Sequence, residues 1–186
     1  MPIPLPPRRR RGALIAGRAA VVLLMAVLAQ GCSLAPVMSE ADFREHLRLT
    51  EAAGEDAVRR LGMDPAARID YRQMANASCK DDLGADPEGV TRDRPTVAWV
   101  LHFENRTAYG KALDTLRGHW SEQGLEVMDL PAPATGEPGA GFPGLQTTDD
   151  DHGVGLSLRP DRYTGETTLV ADGGCVRHEG YVSDWE

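Results

Sequence analysis

Hydrophobic and polar positions along this chain fall into distinct regimes, and each predicts a different kind of element. Ala19–Ala29 is an unbroken apolar run of 11 residues. Further on, Phe43, Leu47, Val58 and Leu61 recur at helical spacing and predict a helix over 40–62. Thr50 and Gly54 fall on the same face, which predicts a kink or a division into two shorter helices. Ser39 with Asp42 three residues on has the form of a capping box, and Gly62 and Pro65 end the helical stretch. Residues 67–75 alternate, with Ile69 and Tyr71 set against Asp70 and Arg72, as in a strand. Residues 80–95 carry Gly, Pro and five Asp or Glu, the composition of a loop.

Residues 96–104 show the clearest strand pattern. Val97, Trp99, Leu101 and Phe103 take one face, while Ala98, Val100 and His102 take the other. Both faces are largely apolar, which predicts a central position in its sheet. Asn105 or Thr107 caps a helix over 107–123, in which Tyr109, Leu113, Leu116 and Trp120 share a face and Gly124 stands at C′. Residues 125–130 return as a strand, so this strand–helix–strand unit is expected at the fold's centre. Residues 131–144, rich in Pro, Gly and Ala, predict a long extended or mobile loop. Residues 145–148, 153–159 and 166–171 read as antiparallel strands joined by turns at 150–153 and 160–165. Gly173-Gly174 permits a bend that returns Cys175 toward Cys79, and the tail 176–186 is expected to add an edge strand. No internal repeat is visible. These elements predict an α+β fold: a mostly antiparallel sheet of about five or six strands, with one or two helices packed on one face.

The apolar run gains meaning from its flanks. Arg8 to Arg11 precede it, and no acid occurs before Cys32. At 11 residues the run is too short for a spanning helix, which needs about 20 apolar residues, and it matches a secretory h-region. It is followed by Leu28-Ala29-Gln30-Gly31-Cys32. This order resembles the bacterial lipobox, with Ala29 and Gln30 departing from the commonest residues there. The resemblance implies that a diacylglyceryl group is attached to the Cys32 sulfur and that cleavage leaves Cys32 as the lipidated N-terminus. Residues 1–31 are then a lipoprotein signal peptide, 32–38 a tether, and 39–186 a single extracytoplasmic α+β domain. Two acyl chains anchor stably where one binds only marginally, so the mature protein is expected on the cell membrane's extracytoplasmic face without spanning it.

Charge and cysteines follow from that division. Loss of residues 1–31 removes five arginines and leaves 15 basic against 28 acidic residues, a net charge of −13 on 155 residues. Such a surface argues against nucleic-acid binding and against adsorption to anionic lipid. With Cys32 lipidated, Cys79 and Cys175 remain, and outside the cytoplasm the pair predicts one disulfide. The alternative, a two-cysteine metal or redox site, lacks any C-x-x-C spacing.

Trp99, Trp120, Gly124 and Cys175, with Leu116-x-x-x-Trp120 on the intervening helix, also make the stretch 79–176 similar to small uncharacterised cell-envelope lipoproteins of actinobacteria. That resemblance implies no particular activity. Candidate chemistry is sparse. No G-x-S-x-G is present, and His46, His102, His119, His152 and His178 show no H-x-x-x-H or H-E-x-x-H spacing. His102 is expected to be partly buried and His119 exposed. Asp149-Asp150-Asp151-His152 lacks calcium-loop spacing and predicts a charged hairpin turn. No catalytic residue, metal or cofactor is expected. The leading expectation is a non-enzymatic binding or accessory module with an envelope protein partner. Two others stand beside it: an envelope hydrolase with dispersed carboxylates, which needs acids converging on a pocket, and an inhibitor or immunity-type protein directed at a basic target.

Overall fold

The computed structural model describes residues 36–66 and 89–179. The expected strand at 67–75, like Cys32 and Cys79, lies outside the described residues. All described residues belong to one compact unit.

The first helix, α1 (Glu40–Arg60), starts where the capping pattern placed it. Ser39 Oγ accepts the Asp42 N–H at 3.1 Å and donates to the Asp42 carboxylate at 2.7 Å. It runs 21 residues as a single helix rather than dividing into two shorter ones. The interrupting residues are in fact its packing face. Thr50 is fully buried, its hydroxyl donating to His46 O. Gly54 lies against the Trp99 ring so closely that a Cβ there would stand 2.2 Å from Cζ3 and 2.3 Å from Cη2. The second helix, α2 (Arg106–Glu122), is capped by Asn105, whose Oδ1 accepts the Ala108 N–H at 2.9 Å. It buries Tyr109, Ala112, Leu113, Leu116 and Trp120.

Five antiparallel strands form the main sheet: β3 (Thr96–Val100), β4 (Val127–Leu130), β5 (Gly144–Asp149), β6 (Val154–Pro160) and β7 (Thr167–Asp172), in the order β3-β7-β6-β5-β4. The register aligns Trp99, Leu169, Leu158 and Leu145 in one row and Val97, Ala171, Leu156 and Thr147 in the next. All eight are buried on the same face, under the two helices. The α+β architecture is as the sequence predicts.

Strand positions differ in two respects. β3 is an edge strand of this sheet, paired with β7 alone, and Ala98 and Val100 on its second face are only half-buried. The strand stops at Val100, although Leu101 N–H still donates to Thr167 O at 2.7 Å. The strand–helix–strand unit therefore does not form the centre; its helix crosses the sheet to join the two outermost strands.

A second, three-stranded sheet was not foreseen. It contains β1 (Val37–Met38), β2 (Val90–Asp93) and β8 (Val176–Glu179), in the order β1-β8-β2. β1 comes from the expected tether and β2 from the expected loop. β8 is the central strand, rather than an edge. The β2–β3 and β7–β8 segments form one antiparallel ribbon bent at Pro95 and Gly173-Gly174, where Gly173 N–H donates to Pro95 O at 2.8 Å. The polar composition of β2 reflects its role: Thr91 and Asp93 turn toward His178 on β8.

α1 spans both sheets. The Phe43 ring stacks on His178 of the small sheet, centroids 3.7 Å apart and planes within 8°. His46 Nε2 sits 2.7 Å from Gly173 O at the bend, and Gly54 meets Trp99 of the large sheet. Substituting Gly54→Ala is expected to lower stability by about 1–3 kcal/mol through overpacking, despite alanine's better helix propensity. Gly118→Ala, on α2 with nothing within 4 Å of the new Cβ, is expected to raise it by up to about 1 kcal/mol. Denaturant titration of the two variants checks both signs.

Candidate functional site

Among the described residues, two clefts bring together side chains from several elements. The first is built by the loop 131–143 and the β6–β7 turn. The loop is not extended: Glu137 N–H donates to Ala134 O, Ala140 N–H to Glu137 O and Phe142 N–H to Gly139 O, three turns in succession. Its end is pinned to α2. The Tyr109 hydroxyl donates to Pro143 O, Phe142 meets the Tyr109 ring edge-on at 5.3 Å, and the Arg106 guanidinium lies 5.0 Å over Phe142. Burial pushes the Tyr109 hydroxyl up to about 12, so it remains a donor. The opposite wall is the turn 161–165, held by Asp161, whose Oδ1 accepts the Tyr163 and Thr164 N–H groups at 2.8 Å each. The Thr164 N–H is the largest cause that holds the Asp161 carboxyl below its usual range. Between the walls lies a cleft of about 680 Å³. Leu130, Pro131, Pro133, Pro138, Pro160 and Tyr163 give it apolar surface; Arg159, Arg162 and Glu137 supply charge.

The second cleft, of about 380 Å³, lies between the C-terminal halves of both helices and the β5–β6 turn. Trp120, Leu125, Val154 and Leu156 form its apolar lining, and Asp56, Asp149 and Asp151 bring three carboxylates to it. His119 is half-buried rather than exposed, because Asp56 of α1 reaches it at 2.8 Å from Nε2. Arg60 Nε donates to Nδ1 at 3.2 Å, so Nδ1 is the acceptor and Nε2–H the donor in this arrangement. His152 is held by Asp149 at 2.8 Å within a charged hairpin turn, where Asp149 also accepts the Asp151 and His152 N–H groups. That turn is as expected. Among the described residues no cluster of three His, Cys, Asp or Glu side chains could hold a metal ion.

One further histidine is structural. His178 is fully buried, with Nε2 2.7 Å from Asp93 and Nδ1 3.1 Å from Glu179 O. His102, expected to be partly buried, is exposed because β3 has already ended. Cys175 follows the Gly173-Gly174 bend, while Cys79 and Cys32 lie outside the described residues. Sequence reasoning missed both clefts. Asp56 and His119 are far apart in the chain, and Arg159 and Arg162 flank a turn, so neither pairing leaves a local spacing signal. Among the described residues no helix is long and apolar enough to cross a membrane. Comparison with protein-family models, characterised proteins and solved structures finds no match to this chain.

The His152–Asp149 pair generates a pH prediction. The Asp149 hydrogen bond and charge raise His152 above its ordinary value. Desolvation opposes ionisation of Asp149, but hydrogen bonds from the His152 ring and from the His152 and Asp151 amides outweigh it and lower that carboxyl. His152's contribution is present below its unfolded value and fades as pH rises through the raised one. Asp149's is present above its unfolded value and fades as pH falls. The pair therefore steadies the turn between about pH 4 and 6.5. NMR titration of the His152 ring should give a midpoint above that of an unfolded histidine, and Asp149→Asn should bring it down.

Proposed function

We propose that the protein is a lipid-anchored lipoprotein of the cell membrane's extracytoplasmic face, acting as a non-enzymatic binding or accessory module of the cell envelope. The observation that carries this reading is the ordered stretch Arg8–Arg11, Ala19–Ala29 and Gly31-Cys32. Cys32 takes the lipid, and the membrane is its first partner. Cys79 pairs with Cys175, the two cysteines that remain once Cys32 is lipidated. The pair closes a long loop and stabilises the domain by about 4–5 kcal/mol in the chain-entropy model.

Binding is favoured over hydrolysis by how the acids are used. Two of the three carboxylates at the smaller cleft, Asp56 and Asp149, are engaged with histidines. Among the described residues no serine hydroxyl is hydrogen-bonded to a histidine, so neither cleft presents a nucleophile with its base.

Metabolic labelling with a radiolabelled fatty acid tests the anchor. The wild-type chain should incorporate label and fractionate with membranes. Cys32→Ala should lose the label and release or mislocalise the domain. Unchanged labelling in that variant contradicts the reading.

A further inference from the structure

The larger cleft has a chemistry of its own. The chain carries a formal net charge of −8, yet two arginines face this cleft against one glutamate. Neither Arg159 nor Arg162 makes an ion pair with a described residue, unlike Arg44, Arg48, Arg59, Arg60 and Arg117. Asp161 lies between them in sequence; its Oδ1 accepts the Tyr163 and Thr164 amides, and although the Arg159 charge helps to lower its carboxyl, the two do not come within ion-pair distance. The Glu137 carboxylate accepts the Ala134 N–H at 2.8 Å. Arg162 Cζ lies 4.6 Å from the centroid of the exposed Tyr163 ring, a cation–π contact that engages the guanidinium without a counter-ion.

The rest of the lining determines what kind of anion fits. A phosphate site uses converging backbone N–H groups. Here Pro131, Pro133, Pro138 and Pro160 have none, and the amides of Ala134, Glu137, Ala140 and Phe142 are already donated within the loop. Arg159 and Arg162 are then the cationic groups left to meet an anion, on a lining that is otherwise largely apolar. That pattern suits carboxylates spaced along a chain whose intervening groups are apolar. Tyr with Arg is also the pairing that carries binding energy at protein interfaces.

We propose that the cleft between the loop 131–143 and the turn 161–165 binds an extended acidic peptide segment of a partner protein. Its carboxylates meet Arg159 and Arg162, and its apolar side chains pack on Tyr163 and the prolines. This deepens the binding reading above and rests on it, but is independent of the anchor at Cys32. It also differs from the inhibitor expectation, in which an acidic surface met a basic target.

The test uses the full chain extracted from membranes in detergent. The probe is a pool of fluorescent decapeptides with glutamate at alternate positions and randomised residues between them. Saturable retention is expected, weakened at least tenfold in an Arg159→Ala/Arg162→Ala variant and by raised salt. Both arginines are exposed, so the variant should keep the wild-type melting temperature, which is measured alongside. A matched lysine pool should not be retained. No saturable retention of the glutamate pool overturns the proposal, as does retention unchanged by the double substitution or displacement by inorganic phosphate at equal charge. Lipid labelling of the wild-type chain separates the two failures: absence of peptide retention by a wild-type chain that still labels with lipid counts against the cleft alone, and peptide retention by a chain that takes no label counts against the anchor alone.

Discussion

Close approach of α1 to two sheets is the constraint on which the rest of the structure depends. Two glycines make it possible. Gly54 on the helix admits the Trp99 ring, and Gly173 at the ribbon bend leaves room for His46 and Thr50, which a Cβ would meet at 2.6 and 2.7 Å. With those contacts in place, Phe43 reaches His178 and the small sheet is fixed to the same helix that covers the large one. Dense packing of this kind tolerates little change in volume.

The clamp decides where binding chemistry can lie. α1 covers β3, β7 and β6, while α2 covers β5 and β4, so the helical layer is spent on the core. Side chains with unspent polarity collect where connections leave the sheet, as loops on a rigid scaffold commonly do. At one such place the acids and histidines satisfy one another across α1, α2 and the β5–β6 turn. At the other, a proline-rich loop pinned through Tyr109 faces an exposed tyrosine and two arginines that form no ion pair with a described residue. The first arrangement braces the fold and the second is poised for a ligand.

The sequence revealed local structure better than assembly. Caps at Ser39 and Asn105, the Leu113–Leu116–Trp120 face and the alternation through Val154, Leu156 and Leu158 are local signals, and each element formed there. Position in the sheet was not legible. The apolar second face of β3 suggested a central strand, because Ala98 and Val100 look alike whether half-buried or fully covered. β2 was hidden because Thr91, Arg92 and Asp93 are polar for a reason that lies 85 residues away, in the Asp93–His178 contact. Gly54 looked like a break in the helix because its partner, Trp99, is on another element. The large cleft had a partial signal in the density of prolines, but the facing arginines depended on where the turn 161–165 came to rest.

In the proposed reading Cys32 joins this clamped domain to a membrane and a Cys79–Cys175 bond closes it. An acidic domain of this charge gains nothing from anionic lipid by electrostatics, so the proposed residence at a membrane would depend on acyl chains. Intact-mass measurement on membrane-extracted protein, with sequencing of its N-terminal peptide, addresses that directly. The predicted mass is that of residues 32–186 with a diacylglyceryl group added and the hydrogens of the Cys79 and Cys175 thiols removed. An unprocessed chain beginning at Met1 with free thiols would contradict the anchor, the compartment and the disulfide together.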